Sequence, residues 1–293
     1  MTLLDLKVGE FGMNYSKKFK VEPGSKVKLD DVDAGYKGEH EDKDSAQQEM
    51  EKYTQRLRDL QYLMYAENKR ALLIILQGMD AAGKDGTINH VLSAMNLQGC
   101  RAYGFKTPTL EELAHDYLWR IHEAAPRKGF VAVFNRSHYE DVLFVRVHNQ
   151  VPKEVWGKRY DEINAFERQL SDNGTRILKF YLHIDKEEQL ERFKQRLDDP
   201  NRRWKISEAD YVERGYWDEY KKAYEDAISK CNTDYAPWYI IPSNHKWFRN
   251  LAVSQILVGT LESLNMTLPA PTVNIAEIKK KYHAAVEQEK KDK

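Results

Sequence analysis

Five short, largely apolar stretches punctuate the middle of the chain: ALLIILQ from Ala71, CRAYGF from Cys100, GFVAVFN from Gly129, RILKFYLHI from Arg176 and WYIIP from Trp238. Apolar runs of this length predict strands buried on both faces. Between them the spacing turns helical, in LEELAHDYLWRIHEA, YDEINAFERQLSDNG, KEEQLERFKQRL and RNLAVSQILVGTLESL. The first of these places Leu110, Leu113, Tyr117, Leu118 and Ile121 on one face. Strands and helices in alternation predict a parallel sheet covered on both sides.

The flanks differ. Residues 1 to about 45 are polar and rich in turn signals such as VEPGSK, which predicts an extended arm. From Ser45 to about Asn68, Met50, Tyr53, Leu57, Leu60 and Met64 recur near helical spacing, so a long amphipathic helix should pack on the core or on a partner subunit. Arm and helix together make a leading unit of residues 1–65, followed by a core at 66–270 and a charged helical tail at 271–293. The amphipathic segment at Met50–Met64 suggests a homo-oligomer, a dimer or tetramer.

Composition narrows the classes. Lysine plus arginine and aspartate plus glutamate are each 46, so net charge gives no argument for nucleic acid, and a polyanion site must come from local clustering. Two cysteines, Cys100 and Cys231, have neither the number nor the spacing of a disulfide framework or zinc site. No leader pattern and no apolar run of membrane-spanning length is seen, so the expectation is a soluble, cytoplasmic protein without a membrane partner.

Candidate chemistry begins after the first strand, in LIILQGMDAAGKDGTINHVL from Leu73. Gly78, Gly83 and Lys84 fit the G-x-x-x-x-G-K phosphate loop in its proper strand-to-helix context, with Ala81 and Ala82 inside it. Such a loop turns backbone N–H groups and a helix N-terminus toward phosphate oxygens. The expected class is a P-loop kinase-like, three-layer α/β/α fold. However, Asp85 stands where a serine or threonine normally holds Mg²⁺. Asp80, inside the loop, could take that duty, since Mg²⁺ accepts one or two carboxylates with phosphates and water. Asp85 is either a second metal group or a first-turn acid favoured by the helix dipole.

Three further clusters matter. In VAVFNRSHYEDVLFVRVH the strand ends in Asn135, with Arg136 placed to face phosphates at the carboxyl edge of the sheet. Glu140 and Asp141 follow within reach of the same metal. In RFKQRLDDPNRRWKISEADY, Arg192, Arg196, Arg202, Arg203 and Lys205 gather at a Pro-Asn turn, which suggests a helical lid near 196–216 that closes over a transferring phosphate. The alternative is a solvated helix with Glu188–Arg192 pairing. Finally Arg101, Lys106 and Arg120 could feed a basic channel, although Arg120 suits a surface role equally and Glu112 is explained by a capping box with Thr109.

GMDAAGKDGTI, FKTPTLEELAHDYLWR, FNRSHYEDVL, RLDDPNRRWKISEAD and PWYIIPSNHKW together resemble the family-2 polyphosphate kinases, over roughly Met50 to Pro269. The resemblance implies inorganic polyphosphate as phosphoryl donor, a nucleotide as acceptor, and Mg²⁺ or Mn²⁺ as cofactor. It also implies phosphate-loop roles for Gly78 to Lys84, metal binding at Asp80 and an essential Arg136. Many members carry an acid where this chain has Asn135. The FNRSHYEDV version resembles the subclass acting on AMP as well as ADP, where Asp141 is expected to coordinate the metal. On this reading Asp80, Lys84, Arg136 and Arg196 carry catalysis. Asp80, Asp141, Asn135 and Glu140 surround the metal, and AMP, ADP and ATP are the exchanged nucleotides. Two rivals are an ATP-dependent nucleoside monophosphate kinase of the thymidylate type and a non-catalytic phosphate or nucleotide sensor.

Overall fold

The computed structural model describes residues 13–291. All five expected strands form: β1 Ala71–Gln77, β2 Cys100–Gly104, β3 Val131–Asn135, β4 Thr175–His183 and β5 Trp238–Pro242. They make one parallel sheet in the order β2-β3-β1-β4-β5. Every residue of β1 is buried, so the sheet is covered on both faces, and the layers are those of a P-loop kinase. The chain leaves β1 toward one edge and leaves β3 toward the other, which opens a crevice between their carboxyl ends.

The main helices are α1 Gln47–Glu67, α2 Lys84–Ser93, α3 Arg159–Asp172, α4 Lys186–Asp198, α5 Glu208–Gly215, α6 Trp217–Lys230, α7 Lys246–Ser263 and α8 Ile275–Lys291. Helix α1 lies against α7, and its Tyr53, Leu57, Leu60 and Met64 are buried there. That stripe packs within the chain, on the core, which is the first of the two alternatives read from the sequence. Gln255 of α7 fixes the contact by donating to Tyr53 Oη at 2.9 Å and accepting from the Tyr15 backbone at 2.6 Å.

The arm is not simply extended. Residues Tyr15–Phe19 form a short helix whose Tyr15 and Phe19 rings meet Phe248 edge-on. The strap then crosses β5, where Val21 N donates to Trp238 O at 2.9 Å, covering a sheet edge that would otherwise be open. The first 12 residues of the expected arm lie outside the described residues.

Residues 110–124 also depart from the expected single helix. The Thr109–Glu112 capping box starts a short helix, Leu110–Leu113, and a second spans Trp119–Glu123. Asp116 Oδ1 accepts from Leu118 N at 2.9 Å, an Asx turn that competes with helix continuation. Leu110 is 89% exposed and Leu113 65%, while Ile121 is buried, so the proposed common face does not exist. Helix α8 has no buried residue.

Candidate active site

The loop from Gly78 to Gly83 is shaped by left-handed backbone. Gly83 has φ +104°, and a Cβ at Gly78 would stand 2.7 Å from Leu182 O, so neither position suits a side chain. Ala81 and Arg136, both non-glycine, also sit at φ +63°. Strained backbone of this kind persists only where neighbouring structure holds it. Arg192 of α4 does much of that holding. Its buried guanidinium donates to Ala81 O and Ala82 O at 2.8 and 3.0 Å, and to Ser243 O and Asn244 O at 2.5 and 3.0 Å. The expected Glu188 pair is present at 2.6 Å. Arg192 is therefore a brace between the loop and the β5–α7 turn rather than a lid cation.

Lys84 curls back on the loop, with Nζ donating to Gly78 O at 2.7 Å and Met79 O at 3.2 Å. Burial, then the nearby Arg136 charge, push Lys84 down to about 8, against the pull of Asp80, Glu140 and Asp85. Arg136 lies between two carboxylates, Asp80 Oδ1 at 3.0 Å and Glu140 Oε2 at 3.5 Å. Glu140 and Asp80 hold it firmly protonated. Asn135 Nδ2 donates to Asp85 Oδ1 at 2.7 Å, tying the end of β3 to the first turn of α2.

Two cavities meet at Asp80 and Arg136. One, of about 510 Å³, is lined by the loop, by Lys84 and Asn135, and by the cations Arg192, Arg196, Arg202, Lys205, Lys246 and Arg249. None of the described residues that line it is aromatic. The other, of about 310 Å³, has Phe144, Trp217, Tyr220 and Tyr224 for walls, with Glu140 and Glu213 at its polar positions. Segment 196–216 roofs both: Arg196, Arg202 and Lys205 face the basic cavity, and Ser207, Ala209, Asp210, Glu213 and Arg214 face the aromatic one. The lid is linked to the loop through Gln189, whose Oε1 accepts from Arg214 at 2.9 Å while its Nε2 donates to Asp80 O at 2.9 Å.

With this geometry in hand, comparison with known proteins is decisive. The family model described as Polyphosphate kinase 2 (PPK2) matches residues 40–269. The chain belongs to the polyphosphate kinase 2 family. It is 51% identical to the AMP/ADP-polyphosphate phosphotransferase of Meiothermus ruber, over 87% of this chain and 96% of that one. It is 45% identical to the ADP-polyphosphate phosphotransferase of Rhodopseudomonas palustris, over 88% and 93% of the two chains. The crystal structure of polyphosphate kinase 2 from Arthrobacter aurescens TC1 superposes with a TM-score of 0.89 at 39% identity, covering 96% of this chain and all of that one.

Within this polyphosphate kinase 2 fold the candidate residues separate. Asp80, Ala81, Gly83, Lys84, Asp85, Asn135, Arg136, Arg196, Arg202 and Lys205 do converge on the basic cavity, and Gly78 and Glu140 line the other. Six candidates do not join them, the first being Ala82, which is fully buried within the loop. Asp141 is turned toward α3, where Arg159 Nη1 donates to both its Oδ1 (2.9 Å) and its carbonyl (3.0 Å); burial pushes its carboxyl up to about 6 despite that arginine. Arg203 Nε donates to Leu197 O at 2.8 Å, at the foot of the lid. Arg120 is consumed by Lys106 O at 2.9 Å and by Glu112 at 3.6 Å, and lies over the Phe105 ring. Lys106 is exposed beyond β2 and lines neither cavity. Arg101 lines a separate cavity on the β2 edge, with Arg127 and Glu123. A basic channel built from Arg101, Lys106 and Arg120 is thus not seen.

Asp141 is thus paired with Arg159 and lines neither cavity, and Asn135 and Asp85 satisfy one another. Among the described residues no group of three or more histidine, cysteine or acidic side chains stands ready to enclose a metal. What faces the crevice is the Asp80–Glu140 pair, bridged by Arg136. Sequence reasoning missed Lys246, Arg249 and the aromatic wall. The signal for the first two was available in SNHKWFRN, two cations one helical turn apart just after the last strand.

Proposed function

We propose that this enzyme transfers a phosphoryl group from inorganic polyphosphate to AMP and to ADP, giving ADP and ATP, in a reversible reaction. The observation that carries this reading is the division of labour across Asp80 and Arg136. A nucleoside triphosphate donor is best served by an aromatic surface against its base, and among the described residues that line the basic cavity none is aromatic. A chain of phosphates needs only charge and backbone donors, which that cavity has. The acceptor nucleoside then belongs on the Trp217–Tyr220–Tyr224 side. The names of the Meiothermus and Rhodopseudomonas relatives support donor and acceptor alike.

In this arrangement the terminal phosphate of the acceptor reaches the donor chain in line across Arg136. A new P–O bond forms on the acceptor oxygen as the P–O–P link of the donor breaks, leaving polyphosphate one unit shorter. The attacking oxygen is already ionised near neutral pH, so no general base is required. Lys84, Arg136 and the lid cations Arg196, Arg202 and Lys205 neutralise the charge that spreads over the transferring group. Asp80 and Glu140 are hard oxygen donors, and two carboxylates completed by phosphates and water suit Mg²⁺ or Mn²⁺. Such an ion, when bound, would supply positive charge against the negative charge that develops on the transferring group.

The test is incubation with AMP, long-chain polyphosphate and Mg²⁺ in the absence of ATP, with products followed by chromatography. ADP followed by ATP is expected. Transfer from ATP alone, with silence from polyphosphate, would overturn the reading in favour of an ordinary nucleotide kinase; no transfer at all would favour a sensor. Trp217→Ala should raise KM for ADP by about tenfold, in keeping with loss of an aromatic wall worth ~1 kcal/mol or more. Its KM for polyphosphate should stay within about twofold, and the opposite pattern would exchange the two cavities.

A further inference from the structure

Among the described residues, a buried arginine of the basic cavity lacks a counter-charge. Arg249, in the first turn of α7, is 3% exposed. Its Nε and Nη2 donate to Asn250 Oδ1 at 3.1 and 2.9 Å, and its Nη1 reaches Ala82 O only at 3.5 Å. Among the described residues it forms no ion pair with a carboxylate, and the charge that acts on it is that of another cation, Arg192. Burial, then Arg192, push it down to about 9. Lys246, one turn earlier, donates to a neutral partner alone among the described residues, Gln195 Oε1 at 3.2 Å, and lines the same cavity.

The placement is tight. A Cβ on Gly83 would stand 1.9 Å from Arg249 Nη1, and one on Gly86 would stand 3.2 Å from Nη2. The guanidinium thus occupies the space that two glycines of the loop and first helical turn leave open. Arg192, by contrast, has Glu188 at 2.6 Å and four backbone carbonyls. A buried charge without a counter-ion is costly, and for stability alone a neutral side chain of similar volume would serve as well or better.

We infer that Arg249, with Lys246 beside it, is an anion subsite of the donor cavity, holding phosphates of the polyphosphate chain and completed electrically only when the chain is bound. This rests on the proposed polyphosphate activity and adds a residue from the far end of the sequence to the donor site. It separates two roles usually found together: an arginine that braces the fold should lose stability when neutralised, whereas Arg249 should not.

The experiment measures binding of long-chain inorganic polyphosphate and of ADP to the full chain by calorimetry, at several salt concentrations, for wild type and Arg249→Met. Melting temperature without ligand is recorded alongside. For Arg249→Met, the polyphosphate Kd should rise at least about fivefold, and the slope of log affinity against log salt should fall by about one phosphate contact. ADP affinity should change less than about twofold, and the unliganded protein should melt at the same temperature or higher. A smaller rise in polyphosphate Kd would overturn the inference. So would failure to fold, or a lower melting temperature with equal loss of both ligands, since either would make Arg249 a brace. If wild type itself neither binds nor uses polyphosphate, it is the proposed function that falls.

Discussion

Asp80→Asn is expected to lower kcat for polyphosphate-driven ADP phosphorylation by about 10³-fold or more, equivalent to ~4 kcal/mol of transition-state stabilisation. The substitution is nearly isosteric, so the loop should keep its shape: the Asp80 backbone carbonyl still accepts from Gln189 Nε2, and Arg192 still braces Ala81 and Ala82. What is lost is a negative charge that serves two partners in turn. In the unliganded protein it pairs with Arg136 at 3.0 Å, with both side chains partly exposed, a contact worth ~1 kcal/mol or less. Melting temperature should therefore change little. In the working enzyme the same carboxylate, with Glu140, would be the protein's hold on the divalent ion, and an amide is a far weaker ligand for it. Binding of polyphosphate should persist or tighten, because an anion has been removed beside an anionic ligand. The check is steady-state kinetics across a Mg²⁺ titration with melting curves alongside. Turnover within tenfold of wild type at ordinary Mg²⁺ would sink the metal role of Asp80.

The second large effect concerns stability. Lys179 on β4 is fully buried, and its three donors are all used: Glu167 at 2.5 Å, Cys231 O at 2.6 Å and Tyr139 Oη at 2.9 Å. Glu167 on α3, also fully buried, accepts in addition from His138 Nε2 at 3.1 Å and Tyr139 Oη at 2.9 Å. Burial alone would raise the Glu167 carboxyl, but Lys179 and His138 prevail and hold it below its ordinary value. Lys179→Met leaves that carboxylate without its cation and is expected to cost about 3–5 kcal/mol. For a chain of this size that lowers the melting temperature by roughly 6–15 °C. Replacing both, as Lys179→Met with Glu167→Leu, should restore part of the loss, since two neutral groups are cheaper than one buried charge. A folded pKa held low makes the stabilisation present above the ordinary glutamate value and lost as pH falls through the lowered one. The acid limb of stability should accordingly flatten in the double variant. Denaturant titrations from pH 3 to 7 decide the matter; a single variant within 1 kcal/mol of wild type would refute it.

That buried pair lies directly beneath the turn that carries the site. His138 and Tyr139 belong to the short helical turn His138–Asp141, so the same hydrogen bonds that fill the core also fix the backbone presenting Arg136 and Glu140. In the sequence, His138 and Tyr139 look like part of the chemical motif. In the structure they face inward, away from substrate, while their neighbours face the crevice.

The strands were legible because a parallel sheet buried on both faces demands apolar runs whatever the partner strand is. The loop was legible because its requirements are local: glycines where φ is positive, and a lysine at the start of a helix. Asp80, Lys84 and Arg136 could be named for the same reason, being fixed to the carboxyl ends of two adjacent strands. The helix expected over 110–124 failed because the choice between helix and an Asx turn at Asp116 is a contest of local hydrogen bonds that apolar spacing does not report.

Charge identity was written in the chain, but charge pairing was not. Asp141 and Arg159 are 18 residues apart, Arg120 and the Lys106 carbonyl 14, and Arg249 meets the Ala82 carbonyl across 167. Each pairing settles whether a charged group faces substrate or is neutralised within the fold, and each depends on how helices that are remote in sequence pack on the sheet. The sequence by itself determined the order of elements, the phosphate loop and the local chemistry around β1 and β3, because backbone conformation and burial pattern answer to neighbours along the chain. Only the tertiary structure decided which cations reach the phosphate cavity, which carboxylates remain for a metal, and where the aromatic wall stands. Electrostatic partnership and cavity shape are set by distances through space, over which sequence separation has no hold.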